Sequence, residues 1–340
     1  MDLIFLGTSA GSPTKTRNVT ALALCEDRGS GWYLVDCGEG TQQQLLRTNL
    51  SVNSLRAIFI SHVHGDHCYG LPGLLASAGM NGRTTPLKII APKGIKEWFE
   101  STQVHTHLGL PFELEYICSD TLPTVAFDFL SVSTTALSHR VPSYAYSFGE
   151  NQVEASLDTE KLNSEGIPQG PMWGDIQKGI DVLHQGKIID SAEFLRFDNV
   201  PRKIVIGGDN DNPSLLRDAC NNSNVLVHEA TFTKGVAAKV GQVIAQNLGH
   251  SYAELVSVFA ESVAIPNLVL THFSPRYQSN SDASPSIRDI YNEAASVYHG
   301  ALFMAEDFAR YHLSKNGSFR QVEQGSGLNL QSLASREKAW

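Results

Sequence analysis

Apolar runs of strand length stop, again and again along this sequence, at clusters of polar residues. Runs at 3–6, 32–35, 57–60, 87–90, 204–206, 225–227 and 268–270 are separated by helical patterns, which predicts an α/β protein. Several end at Asp36-Cys37-Gly38-Glu39-Gly40, Ser61-His62, Gly207-Gly208-Asp209, His228-Glu229 and Thr271-His272. In α/β folds such strand ends face the crevice where ligands bind. The 340 residues suffice for one large domain or two ordinary ones. No apolar run approaches the ~18 residues that cross a bilayer, and the first residues lack the basic stretch of a signal peptide. Five cysteines, odd in number and without CxxC spacing, predict a reducing compartment, so a cytoplasmic location is expected.

One strand ending differs from the rest. Ser61-His62-Val63-His64-Gly65-Asp66-His67 places three imidazoles and a carboxylate within six residues. Neutral imidazole nitrogen and carboxylate oxygen suit zinc, and also manganese or iron. Alternate residues after a strand share a face, which aims His62 and His64 at one ion. Gly65 permits the tight turn that follows, and a helix start directs Asp66 and His67 to a second position. So short a segment cannot fill two metal sites, and His139, Asp209 and His272 are the further ligands expected from other strand ends. Asp209, with two oxygens, suits a bridge between ions at the ~3.5–4 Å spacing of binuclear hydrolases. His105 and His107 form another HxH with no strand before it and are read as a surface loop. His184, His299 and His312 are read as structural.

Two segments depart from this pattern. Residues 150–200 carry ten acids against four bases, which is six of the nine net negative charges, and include a turn-rich stretch with an exposed-looking Trp173. They are read as an inserted, flexible arm. Residues 316–340, rich in Gly, Ser, Gln and Asn, are read as a disordered tail that leaves 1–315 as the folded domain. The net charge of −9 argues against holding a polyanion by bulk attraction and leaves local basic patches open.

The HxHxDH segment with His139, Asp209 and His272 resembles the metallo-β-lactamase superfamily, whose fold is an αβ/βα sandwich with two metals at the strand ends. Fold alone leaves β-lactams, thioesters, lactones and phosphodiesters open as substrates. Further motifs resemble the ribonuclease Z family of tRNA 3′-processing endonucleases. Pro13, Lys15, Arg17 and Asn18 match its PxKxRN loop. His228-Glu229-Ala230-Thr231 and Gly249-His250-Ser251 match its HEAT and HST pair, with Tyr252 at the third HST position. Gly170-Pro171-Met172-Trp173-Gly174 with Lys178 is similar to its tRNA-binding arm, and Thr271-His272-Phe273-Ser274-Pro275-Arg276-Tyr277 looks like its closing motif.

The resemblance implies a metal-dependent endoribonuclease that removes the 3′ trailer of precursor tRNA, leaving a tRNA 3′-hydroxyl and a trailer 5′-phosphate. It implies two divalent ions per subunit, Zn2+ or Mn2+. His62, His64 and His139 are then ligands of one, Asp66, His67 and His272 of the other, and Asp209 bridges. Asp66 orients the attacking water, and His250, kept protonated by Glu229, serves the leaving 3′ oxygen. Lys15, Arg17, Asn18, Arg276, Gly170 and Pro171 become the RNA contacts, and a homodimer is implied. Two other readings stay open on sequence alone. One is a different binuclear hydrolase acting on a thioester, lactone or small phosphodiester. The other is a non-catalytic RNA-binding scaffold, although such a scaffold is expected to lack ligands and none is missing here.

Overall fold

Strands such as Trp32–Val35 and Val225–Glu229 are buried along their whole length, so both faces of the sheets that hold them must be covered. The computed structural model describes residues 1–322 apart from 28, 123, 152–155, 197–199, 245–247 and 280–283. It places these strands in two sheets. The first has eight strands in the order Phe319–Val322, Arg310–Leu313, Asp2–Gly7, Ala21–Cys25, Trp32–Val35, Leu55–Phe59, Leu87–Ala91 and Leu114–Cys118. It is antiparallel up to Trp32–Val35 and parallel from there on. The second has seven, in the order Ala301–Met304, Asn267–Thr271, Val225–Glu229, Lys203–Ile206, Ser143–Glu150, Leu130–Leu137 and Val125–Ala126, with the first four parallel.

Three apolar clusters fill the layers. Phe5, Tyr33, Phe59, Tyr146, Phe148 and Val227 pack between the sheets. The outer face of the first sheet is covered by helices Leu71–Met80 and Ile95–Thr106 through Leu74, Leu75, Ile95 and Phe99. Ala253–Ser262 and Ile287–Ala295 cover the second sheet through Val256, Phe259 and Ile290. The result is an αβ/βα sandwich, the fold class expected. All seven predicted strands form.

Three expectations change. The strand Phe319–Val322 pairs with Arg310–Leu313, and the Phe319 ring stacks on Tyr311 at 5.6 Å, so ordered chain runs past residue 315. The remainder of the expected tail, 323–340, lies outside the described residues. His105 lies on the helix Ile95–Thr106, not in a loop, because the segment carries a helical stripe that buries Ile95 and Phe99. Between 156 and 196 the chain builds a small core of its own from Leu162, Ile167, Ile176, Val182, Ile189 and Phe194. Trp173 packs against that core and donates its indole N–H to Ile167 O at 3.1 Å.

Candidate metal centre and active site

The parallel strands of both sheets point their C-terminal ends at one crevice. His62 follows Leu55–Phe59, Asp209 follows Lys203–Ile206, Glu229 closes Val225–Glu229, and His272 follows Asn267–Thr271. His139 follows the antiparallel strand Leu130–Leu137, and Asp66 and His67 sit on the single turn Gly65–Cys68. Close approach of the two sheets requires Gly208, where a Cβ would lie 2.5 Å from that of Ser61.

The donor atoms form two groups that share a carboxylate. In the first, His64 Nδ1 lies 3.1 Å from both His62 Nε2 and His139 Nε2. Asp209 Oδ2 is 3.6 Å from His62 Nε2 and 3.8 Å from His139 Nε2. In the second, His67 Nε2 and His272 Nε2 are 3.2 Å apart, each 3.4 Å from Asp66 Oδ2. Asp209 Oδ1 faces this group, 3.5 Å from His67 and 3.4 Å from His272. The seven ligands expected from the sequence are therefore gathered in one place, one oxygen of Asp209 toward each triad.

The remote ring nitrogens explain why these lone pairs converge. His139 Nδ1 faces Gly249 O at 2.5 Å, His67 Nδ1 faces Asp36 Oδ2 at 2.7 Å, and His272 Nδ1 faces Thr231 Oγ1 at 3.0 Å. Donation from each Nδ1–H fixes the tautomer and leaves Nε2 free to coordinate. Burial holds His62, His64 and His139 below the usual imidazole range, the neutral form a metal needs. At His272 burial is outweighed by Asp209, Asp66 and Glu229, and the ring is pushed up to about 10. His67 is raised in the same way by Asp209, Asp36 and Asp66. This half of the site calls for positive charge, so its donor set suits a cation.

His250 stands beside both groups. Its Nδ1 is 3.1 Å from Glu229 Oε2 and 3.5 Å from Asp209 Oδ2, and its ring stacks on His272 at 5.6 Å. Burial lowers its affinity for a proton, but Glu229 and Asp209 outweigh burial and raise it. Glu229 is held ionised, since His250 and His272 offset the cost of burying it. Asp209, Glu229, His250 and His272 also cluster closely enough to share an ion. In that group His250 Nδ1 is already engaged by Glu229.

The expected RNA contacts divide. Lys15 and Arg276 are exposed, as are Gly170 and Pro171 at the start of the helix Pro171–Gln177. Arg17 is not available to a phosphate. It is buried, and its guanidinium donates to Tyr277 O at 2.7 Å and Ser279 Oγ at 3.2 Å. Asn18 is half-buried, and its N–H donates to Asp307 Oδ2 at 2.7 Å and its amide to Glu39 O at 2.8 Å. Both residues shape the 8–18 loop, whose Gly11 N–H donates to Asp66 Oδ2 at 2.7 Å. Asn210 and Asp307 carry no signal in the sequence, while Asp36, Ser61 and Thr231 stand within polar strand endings or the HEAT match without a role of their own. Asp36 was visible as part of a polar strand ending, the signal that exposed the ligands themselves. His105 and His107 are exposed and outside the crevice cluster. His299 pairs with Glu261 and His312 with Asp2.

The sandwich and its strand-end donors define a metallo-β-lactamase-fold protein with clusters compatible with metal. Ribonuclease Z of Pseudomonas putida (strain GB-1) is 52% identical over 322 residues, covering 95% of this chain and all of that one. Ribonuclease Z of Marinobacter nauticus is 50% identical, covering 95% and 99%. The crystal structure of human tRNase Z, short form, superposes with a TM-score of 0.60 at 26% identity, covering 91% of this chain and 98% of that one. YhfI of Bacillus subtilis, a metallo-β-lactamase fold protein, matches in fold at TM-score 0.61 and 16% identity, covering 91% and 98%. A family model described as anti-Pycsar protein Apyc1 matches residues 1–109. The chain belongs to the ribonuclease Z family.

Proposed function

We propose that this protein is a tRNA 3′-processing endoribonuclease, a phosphodiester hydrolase that frees the 3′ end of precursor tRNA from its trailer. Beyond family membership, the observation that supports it is the Glu229–His250 couple at the edge of the paired donor groups. Its proton is the one an alkoxide leaving group needs, whereas the thiolate of a thioester leaves without one.

His62, His64, His139 and Asp209 would hold one divalent ion, and Asp66, His67, His272 and Asp209 a second. Zn2+ and Mn2+ both suit these donors. When bound, such ions make water nucleophilic near neutral pH and neutralise charge on the phosphate. Asp66, fixed by Gly11 N–H, orients the attacking water and accepts its proton. Glu229 holds His250 through Nδ1, which leaves Nε2 to donate a proton to the departing 3′ oxygen. The products are a tRNA 3′-hydroxyl and a trailer 5′-phosphate. Lys15, Arg276 and the segment around Gly170 and Pro171 contact RNA, and the reading includes a cytoplasmic homodimer.

Two variants test the roles. His64→Ala is expected to lose bound metal and cleavage together, whereas His250→Ala keeps metal and loses turnover on precursor tRNA. Full cleavage by either variant contradicts the role given to it.

A further inference from the structure

Asn210 follows the bridging Asp209 and is completely buried. Its backbone N–H donates to Glu229 Oε1 at 2.7 Å, and its carbonyl accepts from Ser251 Oγ, beside His250, at 2.6 Å. The side-chain Oδ1 faces the N–H groups of Ser138 at 3.2 Å and Asn212 at 3.1 Å. Neither N–H can accept, so the orientation of the amide is determined. Nδ2 then lies 3.1 Å from His228 Nε2, which must be the acceptor. His228 Nδ1–H in turn donates to Glu229 O at 2.8 Å. One residue thus joins the loop bearing His139, the loop bearing Asp209, the strand end bearing Glu229 and the loop bearing His250.

We propose that Asn210 is a positioning residue for proton donation, holding Glu229 and His250 in register with Asp209. This rests on the reading of His250 as the donor to the leaving oxygen. The buried amide fixes His228 through Nδ2 and the chain at Ser138 and Asn212 through Oδ1. Glu229 therefore meets His250 at one angle, and no reorganisation is needed when the 3′ oxygen departs.

The test compares Asn210→Ala and Asn210→Ser with the parent and with His250→Ala, on precursor tRNA and on bis(p-nitrophenyl) phosphate. Nitrophenolate leaves without a proton, whereas the ribose 3′ oxygen does not. On precursor tRNA, kcat should fall about 10–100-fold with KM little changed, the loss typical of a group that supports a catalytic residue. On the nitrophenyl diester kcat should stay close to the parent's, with metal content by mass spectrometry and the melting curve retained. Equal losses on the two substrates, loss of metal, or an undiminished kcat on tRNA overturns the proposal. Both variants keep the backbone contacts, and the serine variant, which retains a polar side chain, provides the same comparison if the alanine protein does not fold. His250→Ala separates the two inferences. If it lacks the leaving-group dependence, the donor reading fails; if it has the dependence and the Asn210 variants do not, only the role of Asn210 fails.

Discussion

Asp36→Asn changes one atom and should weaken one half of the proposed metal centre. Asp36 is buried with φ of 59°, a left-handed conformation that asparagine tolerates well, so the substitution adds no backbone strain. Its Oδ1 accepts Ser61 N–H at 2.7 Å, while Oδ2 accepts Ser61 Oγ at 2.9 Å and His67 Nδ1–H at 2.7 Å. The amide must keep its oxygen toward Ser61 N–H, because the reverse sets two donors against each other. The new NH2 then faces His67 Nδ1. To meet it the imidazole must move its proton to Nε2, the atom 3.2 Å from His272 Nε2 and 3.4 Å from Asp66. A protonated nitrogen cannot coordinate. Loss of such a support typically weakens metal binding 10–100-fold, about 1.4–2.7 kcal/mol. The position of Asp66, His67 and His272 should weaken by that amount, and the position of His62, His64 and His139 should keep its affinity. Competition against a chromophoric chelator, with metal content after dialysis, measures both steps. Two ions bound at the parent's affinities, or equal weakening of both steps, would refute the tautomer argument.

Arg202 is 3% exposed and joined to Glu150, to Asp27 and to Leu313 O at 2.6 Å. Arg202→Met should cost about 2–3 kcal/mol in urea unfolding, below the ~3–5 of a fully buried pair, because Asp27 and Glu150 remain 23% and 21% exposed. Burial raises both carboxyls, but hydrogen bonds outweigh it and hold them low, from the N-terminal ammonium and Arg202 at Asp27 and from Arg202 at Glu150. The unfolded chain therefore takes up these protons first, so stability declines as pH falls below about 4.5 and is lost through the lower folded values. The methionine variant should show a shallower decline, and equal slopes would exclude this origin. Gly249→Ala puts a Cβ 2.8 Å from His139 Nδ1 at a φ of +68°, so metal content and turnover should fall together, unlike in His250→Ala. Lys15→Ala should raise KM for precursor tRNA without changing the melting temperature, whereas Arg17→Ala should lower that temperature. The reverse pattern would return Arg17 to the RNA-binding surface. Replacing 155–195 by a short linker should weaken precursor tRNA binding and spare hydrolysis of bis(p-nitrophenyl) phosphate; loss of both would make the segment structural.

What could be read from the sequence follows from how each feature is encoded. The candidate ligands were legible because apolar strands break at residues whose chemistry has few other uses, with three imidazoles in the one segment His62–His67. Asp36 carries no such density, and a lone acid at a strand end reads equally well as a cap. Arg17 was misread for a physical reason: its partners Ser274, Tyr277 and Ser279 lie some 260 residues away in sequence, and only the fold buries it. The strand Phe319–Val322 is too polar to stand out, and it depends on pairing with Arg310–Leu313 and on the Tyr311 ring. The arm's apolar residues are too sparse for a periodic pattern, yet converge into a small core once the chain turns back on itself.

The same contacts that gather the candidate metal ligands also hold the Glu229–His250 couple proposed as the proton donor. Gly249 O orients His139 from the residue next to His250, and Thr231 Oγ1 accepts from His272 while donating to Glu229. Asp209 faces both triads and lies 3.5 Å from His250. A displacement of the triad bearing His272 must therefore disturb the Glu229–His250 couple, because Thr231 Oγ1 anchors both. The strand ends converge from two sheets whose facing layer is filled by Phe59, Tyr146 and Phe148, with ring centroids 5.0 Å apart for Phe59 with either partner. Close-packed aromatic layers of this kind resist sliding. Tyr146 carries that rigidity to the site directly, since its hydroxyl donates to Ile60 O at 2.6 Å, two residues before His62. The register of the two halves of the active site is thus set in the apolar layer beneath it.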